Sequence, residues 1–377
     1  MGPFLFGACA MFAAMYSTQA ILPDLGEEFG VTPSQAGLSV SLVIGALALG
    51  AWFWGPLSDR IGRRASLELA SAAIVVPTLL AALAPTFGIL LAVRALQGLC
   101  MPGLLTVGVP YVTEAYSARI GDRAMGYYVT SLVAGGLIGR VAVALMTAVA
   151  GWRVALAALA LLPLASTIVM RRALPPEPEA PARSGAVSVE QLRGLLRNPT
   201  LMAATVAGST LFFAFMGVFS YVDYRLESPP FSLGQAAAGL IFLLWAMGIA
   251  GPLAGRLAGR AGWAPVAFGA VTLAAAGLTV SLSSALALVV GGLALVTLGN
   301  FSGVTAAQVG VGASTERDRG LASAIYFSSY YLAGAIGCWL PGLAWQRWEW
   351  PGVAGMALAA YAVGLTALAV ALVRRRR

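Results

Sequence analysis

Twelve long apolar runs, separated by short polar connections, organise this chain. Crossing a hydrocarbon layer of about 30 Å takes about 20 helical residues, and the runs have that length. The pattern predicts spans over 4–22, 37–54, 66–84, 88–115, 125–149 and 153–170. A second set follows over 200–222, 232–254, 264–283, 285–310, 319–344 and 352–373. Spans 4, 10 and 11 exceed the membrane thickness, so they protrude or tilt. The expected fold is an all-α integral membrane protein with twelve transmembrane helices.

The second six runs repeat the first. GPLSDRIGRR at 55–64 reappears as GPLAGRLAGR at 251–260, Asp122 and Arg123 match Asp318 and Arg319, and Trp152 matches Trp348, all at a shift of 196 positions. A period this long is a duplicated bundle rather than a solenoid unit. Because six is even, both halves enter the membrane the same way round, as two pseudo-symmetric six-helix bundles related by an axis along the membrane normal. The expected divisions are a bundle over 1–170, a linker over 171–198 and a bundle over 199–377. The linker is rich in proline and charge (RRALPPEPEAPARSG), and it ends in an amphipathic stretch whose Val189, Leu192, Leu195 and Leu196 suit a membrane surface.

Composition agrees: 59% of the residues are hydrophobic, 10% are charged, and mean hydropathy is +0.84. A soluble protein carries about 25% charged residues. All the basic residues are arginines, and most lie on one side of the predicted topology, including Arg60, Arg63, Arg64, Arg171, Arg172, Arg193, Arg197, Arg256, Arg260 and the run Arg374 to Arg377. Arg153, Arg225 and Arg347 fall on the other. Cytoplasmic loops collect positive charge, which places both termini in the cytoplasm. The basic balance then reflects topology and attraction to anionic headgroups, with no call for nucleic acid as a partner. Residues 4–22 are read as a span and not a cleaved leader, because no basic residue precedes them and their partner run is internal.

Some chemistry is excluded early. Cys9, Cys100 and Cys338 are scattered within spans and the chain has no histidine, so neither a metal site nor an imidazole relay is expected. No GxxxxGK[ST] loop is present, which removes ATP as an energy source. The chain is not expected to be an enzyme, and it needs no cofactor; a proton gradient is the candidate driving force.

The 55–64 segment resembles the signature loop between helices 2 and 3 of the major facilitator superfamily, through Gly55, Leu57, Asp59, Arg60, Gly62, Arg63 and Arg64. The resemblance implies a latch that secures the cytoplasmic side of the outward-facing state. Glu114, at the cytoplasmic end of span 4, is grouped with it. In the second copy, at a shift of 196, Gly255 stands in the place of Asp59. A second likeness lies in LLAVRALQGL at 90–99, which is similar to the family's membrane-embedded arginine motif through Leu90, Arg94, Gln97 and Gly98. A guanidinium this deep is either braced by backbone carbonyls or met by a ligand; Gln97, three residues on, shares its face. In span 5, Gly126, Gly135 and Gly139 have the spacing seen in the family's drug antiporters, but Arg140 replaces the usual proline, and Val143 and Ala144 replace a glycine pair.

Arg94 and Arg140 are thus two deep cations with no carboxylate inside the spans to match them. An anionic substrate supplies the missing charge. Asp223, at the mouth of span 7, is the candidate proton carrier. Tyr16, Gln19, Asn300, Tyr326 and Tyr330 are candidate pocket residues, each equally able to serve in interhelical packing. Trp152, Tyr221, Tyr224, Trp345, Trp348 and Trp350 read as an interfacial aromatic belt.

Taken with the resemblance, which covers essentially the whole chain and points to bacterial efflux-type members, the expectation is a monomeric secondary transporter of the bacterial cytoplasmic (inner) membrane. It moves a small organic solute, anionic and exported, by alternating access, with membrane lipid as its other partner. A polyspecific proton-coupled multidrug antiporter is the competing expectation, and a non-transporting receptor or assembly subunit a further one.

Overall fold

The computed structural model describes residues 1–108, 111, 118–175 and 189–375, which form helices joined by short turns, with no strand among them. Span 1 is α1 (Gly2–Met15), a 3-10 stretch (Ser17–Ile21) and α2 (Leu22–Phe29). Span 2 is α3 (Pro33–Ile61), span 3 α4 (Arg63–Ala82), and span 4 contains α5 (Phe87–Cys100) and α6 (Pro102–Leu105). Span 5 lies in α7 (Ala118–Ala150), and span 6 joins α8 (Trp152–Leu159) to α9 (Leu161–Ala173). A short α10 (Val189–Leu196) precedes span 7, α11 (Pro199–Glu227). Span 8 is α12 (Gln235–Gly239), a 3-10 stretch (Leu240–Ala250) and α13 (Gly251–Ala261), followed by α14 (Trp263–Val280) and α15 (Leu286–Gly312) as spans 9 and 10. The last helix, α16 (Arg319–Arg375), leaves helical geometry at Glu349 (φ 48°, ψ −137°) and so supplies spans 11 and 12.

Local chemistry sets these limits. Proline sits in the first turn of α11, where no backbone N–H is lost to the ladder, and Asn198 Oδ1 accepts from the N–H groups of Thr200 (3.0 Å) and Leu201 (3.1 Å). Span 1 runs seven residues past its expected end, because LPDLGEEF continues as the amphipathic α2 until Gly30 closes it in the left-handed region (φ 62°). Val149 is 89% and Ile249 86% exposed. In a bilayer such side chains meet lipid tails, so helix association falls to close packing and interhelical hydrogen bonds.

Two compact units divide the chain. The first comprises Met1–Val31, Leu38–Gly185 and Gly234–Leu243; the second comprises Thr32–Gly37, Ala186–Leu233 and Leu244–Arg377. In the first, glycine lets α1 and α7 touch backbone to backbone: a Cβ on Gly135 would strike the Cys9 carbonyl, and one on Gly139 the backbone of Ala13. The second unit repeats this seam, with Gly337 of α16 against the backbone of Phe213 in α11. The pair Gly103 and Ala70 recurs as Gly303 and Ala270.

These pairs correct the register of the repeat. Gly62 (φ 89°) and Gly262 (φ 95°) occupy the same turn, ahead of spans 3 and 9, in a conformation that favours glycine. The shift is therefore 200 here, and Asp59 corresponds to Gly259 instead of Gly255. At the turn into the last span of each half, Gly151 (φ 82°) matches Glu349, so Trp152 corresponds to Trp350 and not Trp348. GPL occurs at 251, and Gly and Leu recur at 255 and 257, so residue identity alone aligned the wrong copy.

Candidate functional site

Span 1 loses its α-helical ladder at Tyr16, near the middle of Gly2–Phe29, leaving carbonyl oxygens that need donors. Arg94 supplies them. Its Nη1 donates to the Ala14 carbonyl (3.0 Å) and its Nη2 to that of Met15 (2.6 Å), while Nε donates to the Ser39 carbonyl on α3 (2.9 Å). Nη1 also reaches Ser17 Oγ (3.3 Å) and Gln97 Oε1 (2.5 Å). Gln97 in turn donates through Nε2 to Thr78 Oγ1 (2.8 Å), whose hydroxyl donates to the Ile74 carbonyl (2.6 Å). Arg94 is 1% exposed and Gln97 fully buried. This is a brace joining spans 1, 2, 3 and 4 at the break, with the acceptors supplied by the chain itself.

Arg140 meets the same break from span 5. Its Nε donates to Gln19 Oε1 (2.7 Å), its Nη1 donates to the Gly136 carbonyl one turn back (2.7 Å), and its guanidinium carbon lies 3.9 Å from the centre of the Tyr16 ring. The Phe242 ring, which belongs to the same unit, lies at 5.5 Å. Arg140 and Gln19 are fully buried, and Tyr16 is 2% exposed. A guanidinium beside aromatic faces is held in its plane, so Arg140 keeps a fixed, buried positive charge at the break. Five residues singled out in the sequence thus gather around positions 14 to 19.

In the second unit, Tyr330 stacks on Phe212 (centroids 3.9 Å, planes 9° apart), and Tyr326 lies 5.8 Å from Tyr330. The Tyr326 hydroxyl points at Gly208, and like Asn300 Oδ1 it is a buried polar atom with no hydrogen-bond partner among the described residues. Asn300 precedes Phe301, whose ring packs against Phe215 (5.7 Å) and Trp245 (6.0 Å). Asp223 is 2% exposed within α11, a buried acid where a helix mouth was expected.

The motif loop is built as an exposed helix end. Gly55, Asp59 and Arg60 lie in the last turns of α3, Gly62 makes the turn, and Arg63 opens α4. Arg64 pairs with Glu68 one turn on (2.8 Å) and donates to the Arg171 carbonyl at the end of α9 (3.4 Å). Glu114 lies outside the described residues.

Sequence reasoning missed several partners. Thr78 and Ser39 carry no sequence signal beyond a small polar residue in an apolar run. At the far end of the first unit, Glu28 accepts from the Trp152 indole and pairs with Arg153 (2.6 Å), whose Nη1 also donates to the Ala82 (3.1 Å) and Ala84 (2.8 Å) carbonyls at the end of span 3. In the second unit Trp350 donates to the Ser281 carbonyl (3.1 Å) at the end of span 9. Trp152, Tyr221 and Trp350 are therefore buried, hydrogen-bonded pins, whereas Trp348, 62% exposed, is free to lie in an interfacial belt.

Comparison with known proteins agrees with this architecture. A family model described as "Major Facilitator Superfamily" matches residues 4–337. Relatives include the inner membrane transport protein YnfM of Escherichia coli, 33% identical over 93% of this chain and 85% of the relative, and the uncharacterized MFS-type transporter YybF of Bacillus subtilis, 29% identical over 92% and 86%. Among solved structures, a bacterial homolog of the human lysosomal transporter Spinster, inward-facing and unoccupied, aligns with a TM-score of 0.80 at 14% identity, over 97% of this chain and 94% of that one.

Proposed function

This chain belongs to the Major Facilitator Superfamily as a multi-pass membrane transporter, and on that premise we propose that its cargo is a small organic anion, exported across the bacterial cytoplasmic membrane by alternating access. Both termini face the cytoplasm in this reading, and the arginine distribution supports that orientation. The observation that carries the choice of cargo is Arg140: a fully buried guanidinium, oriented by Gln19 and Gly136 and flanked by Tyr16. Arg94 is as deeply buried, but its donors are committed to Ala14, Met15, Ser39 and Gln97, so it positions span 1 instead of meeting the cargo. Within the second unit, Asn300 and Tyr326 are candidate solute contacts in their own right, through a buried amide oxygen and a buried hydroxyl.

Coupling falls to Asp223, a carboxylate buried in α11 that suits proton binding. The switch is the Asp59 cluster. It is asymmetric, because Gly259 has no carboxylate to play the part of Asp59.

Flux in proteoliposomes tests this reading. With purified protein, carboxylate-bearing solutes should cross under an imposed pH gradient. Arg140→Gln should slow them about 10- to 100-fold, the worth of one charge-assisted pair of about 1.5–3 kcal/mol, and Asp223→Asn should abolish the response to pH. Efflux of lipophilic cations that Arg140→Gln leaves unchanged would favour a multidrug antiporter instead.

A further inference from the structure

Spans 7 and 12 leave an open groove of about 580 Å³ on the flank of the second unit. Met202, Ala203 and Val206 line one wall, and Val363, Ala367 and Val370 the other. The one hydroxyl in the lining, that of Thr366, donates to the Ala362 carbonyl (2.8 Å), so the walls offer a ligand no side-chain donor. From Ala362 to Ala371 the groove runs about 14 Å along the helix, close to the depth of one leaflet of a bilayer about 30 Å thick.

Its end at Pro199 and Ala371 is flanked by positive charge. Arg193 and Arg197 are exposed just ahead of Pro199. The helix α10 carrying Arg193 is fixed in place: Leu195 is buried, Gln191 donates to Asp318 Oδ1 (3.4 Å), and Asn198, just past its end, donates to the Ser314 carbonyl (2.8 Å). Val189, Leu192 and Leu196 are left exposed along one stripe, and helical spacing sets Arg193 and Arg197 beside it. An apolar stripe flanked by arginines, at the end of a membrane helix, is the arrangement of a helix lying in the headgroup layer.

We propose that this groove and its flanking arginines bind one anionic phospholipid of the adjoining leaflet, an acyl chain between spans 7 and 12 and the headgroup phosphate on Arg193 and Arg197. The two parts of the lipid match two parts of the surface, the apolar slot and the cationic rim. This site is separate from the proposed transport pathway, so its test does not depend on cargo.

Native mass spectrometry of the full chain, extracted from nanodiscs containing phosphatidylglycerol and phosphatidylcholine of identical acyl chains, reads the site directly. One phosphatidylglycerol should be retained with a preference on the order of tenfold, as two arginines near a phosphate predict. The double variant R193Q/R197Q should lose the preference and R193K/R197K keep it, while Ala367→Phe, which fills the slot, should lower retention of both lipids. Equal retention of the two lipids, or a preference that survives R193Q/R197Q, overturns the proposal. Release of phosphatidylglycerol by millimolar inorganic phosphate alone would also overturn it, because the rim would then be a plain phosphate site.

Discussion

Arg94 and Arg140 are the same residue type at similar burial, yet their surroundings differ, and on the proposed reading they do different work. Arg94 donates to backbone carbonyls at the break in span 1, so its loss strands the Met15 oxygen and the Gln97 amide oxygen, while Ala14 keeps the Ser17 hydroxyl as a donor and Ser39 lies within the ladder of α3. At about 1–3 kcal/mol for each unsatisfied buried group, Arg94→Ala should cost at least about 2 kcal/mol of stability. Thermal unfolding in detergent should show a large drop for Arg94→Ala and a smaller one for Arg94→Lys, whose ammonium has fewer donors and no planar fork. Arg140→Gln should shift the midpoint less and strike transport more; equal midpoint losses for both residues would contradict this division of labour. The sequence placed both arginines inside spans, together with Gln97, Tyr16 and Gln19. It could not tell which arginine is a brace, because the acceptors of Arg94 are mostly main-chain atoms, and those of Ala14 and Met15 sit beside a helix break that no residue type announces.

At the scale of helices, what matters is where two backbones touch. Gly139→Val should push α1 from α7 and cost about 1–3 kcal/mol, as overpacking does, since a Cβ there meets the backbone of Ala13. Gly269→Ala in α14, where a Cβ meets open space, should be neutral or gain up to about 1 kcal/mol in helix propensity. Fluorescence-detected size exclusion after heating would compare the two, and equal behaviour would mean that the seam is not a tight one. The twelve spans were legible because lipid demands a hydropathy pattern with one period. The 3-10 stretches were not: Leu240–Ala250 is a continuous apolar run whose residues fit either ladder. The register of the repeat was also hidden, because it is fixed by the backbone conformation at Gly62 and Gly262 more than by residue identity.

For the whole molecule, duplication does not mean two self-sufficient halves. The first unit includes Gly234–Leu243 and the second Thr32–Gly37, so a chain cut within 176–188 yields pieces that each lack a segment of their own unit. Either piece expressed alone should be degraded in the membrane, and co-expression should restore both, as read by pull-down of one tagged piece with the other; a stable first piece by itself would refute this. The 3-10 stretch of span 8 bears on the same symmetry. Span 2 covers Pro33–Ile61, about 42 Å of α-helix. Its counterpart from Gln235 to Ala261 has two residues fewer and as pure α-helix would reach only about 39 Å, but 3-10 winding through Leu240–Ala250 extends it to about 44 Å. The shorter copy has kept its reach by being drawn out thinner, and any substitution that rewinds that stretch into α-helix would retract the Gly262 corner by about one turn.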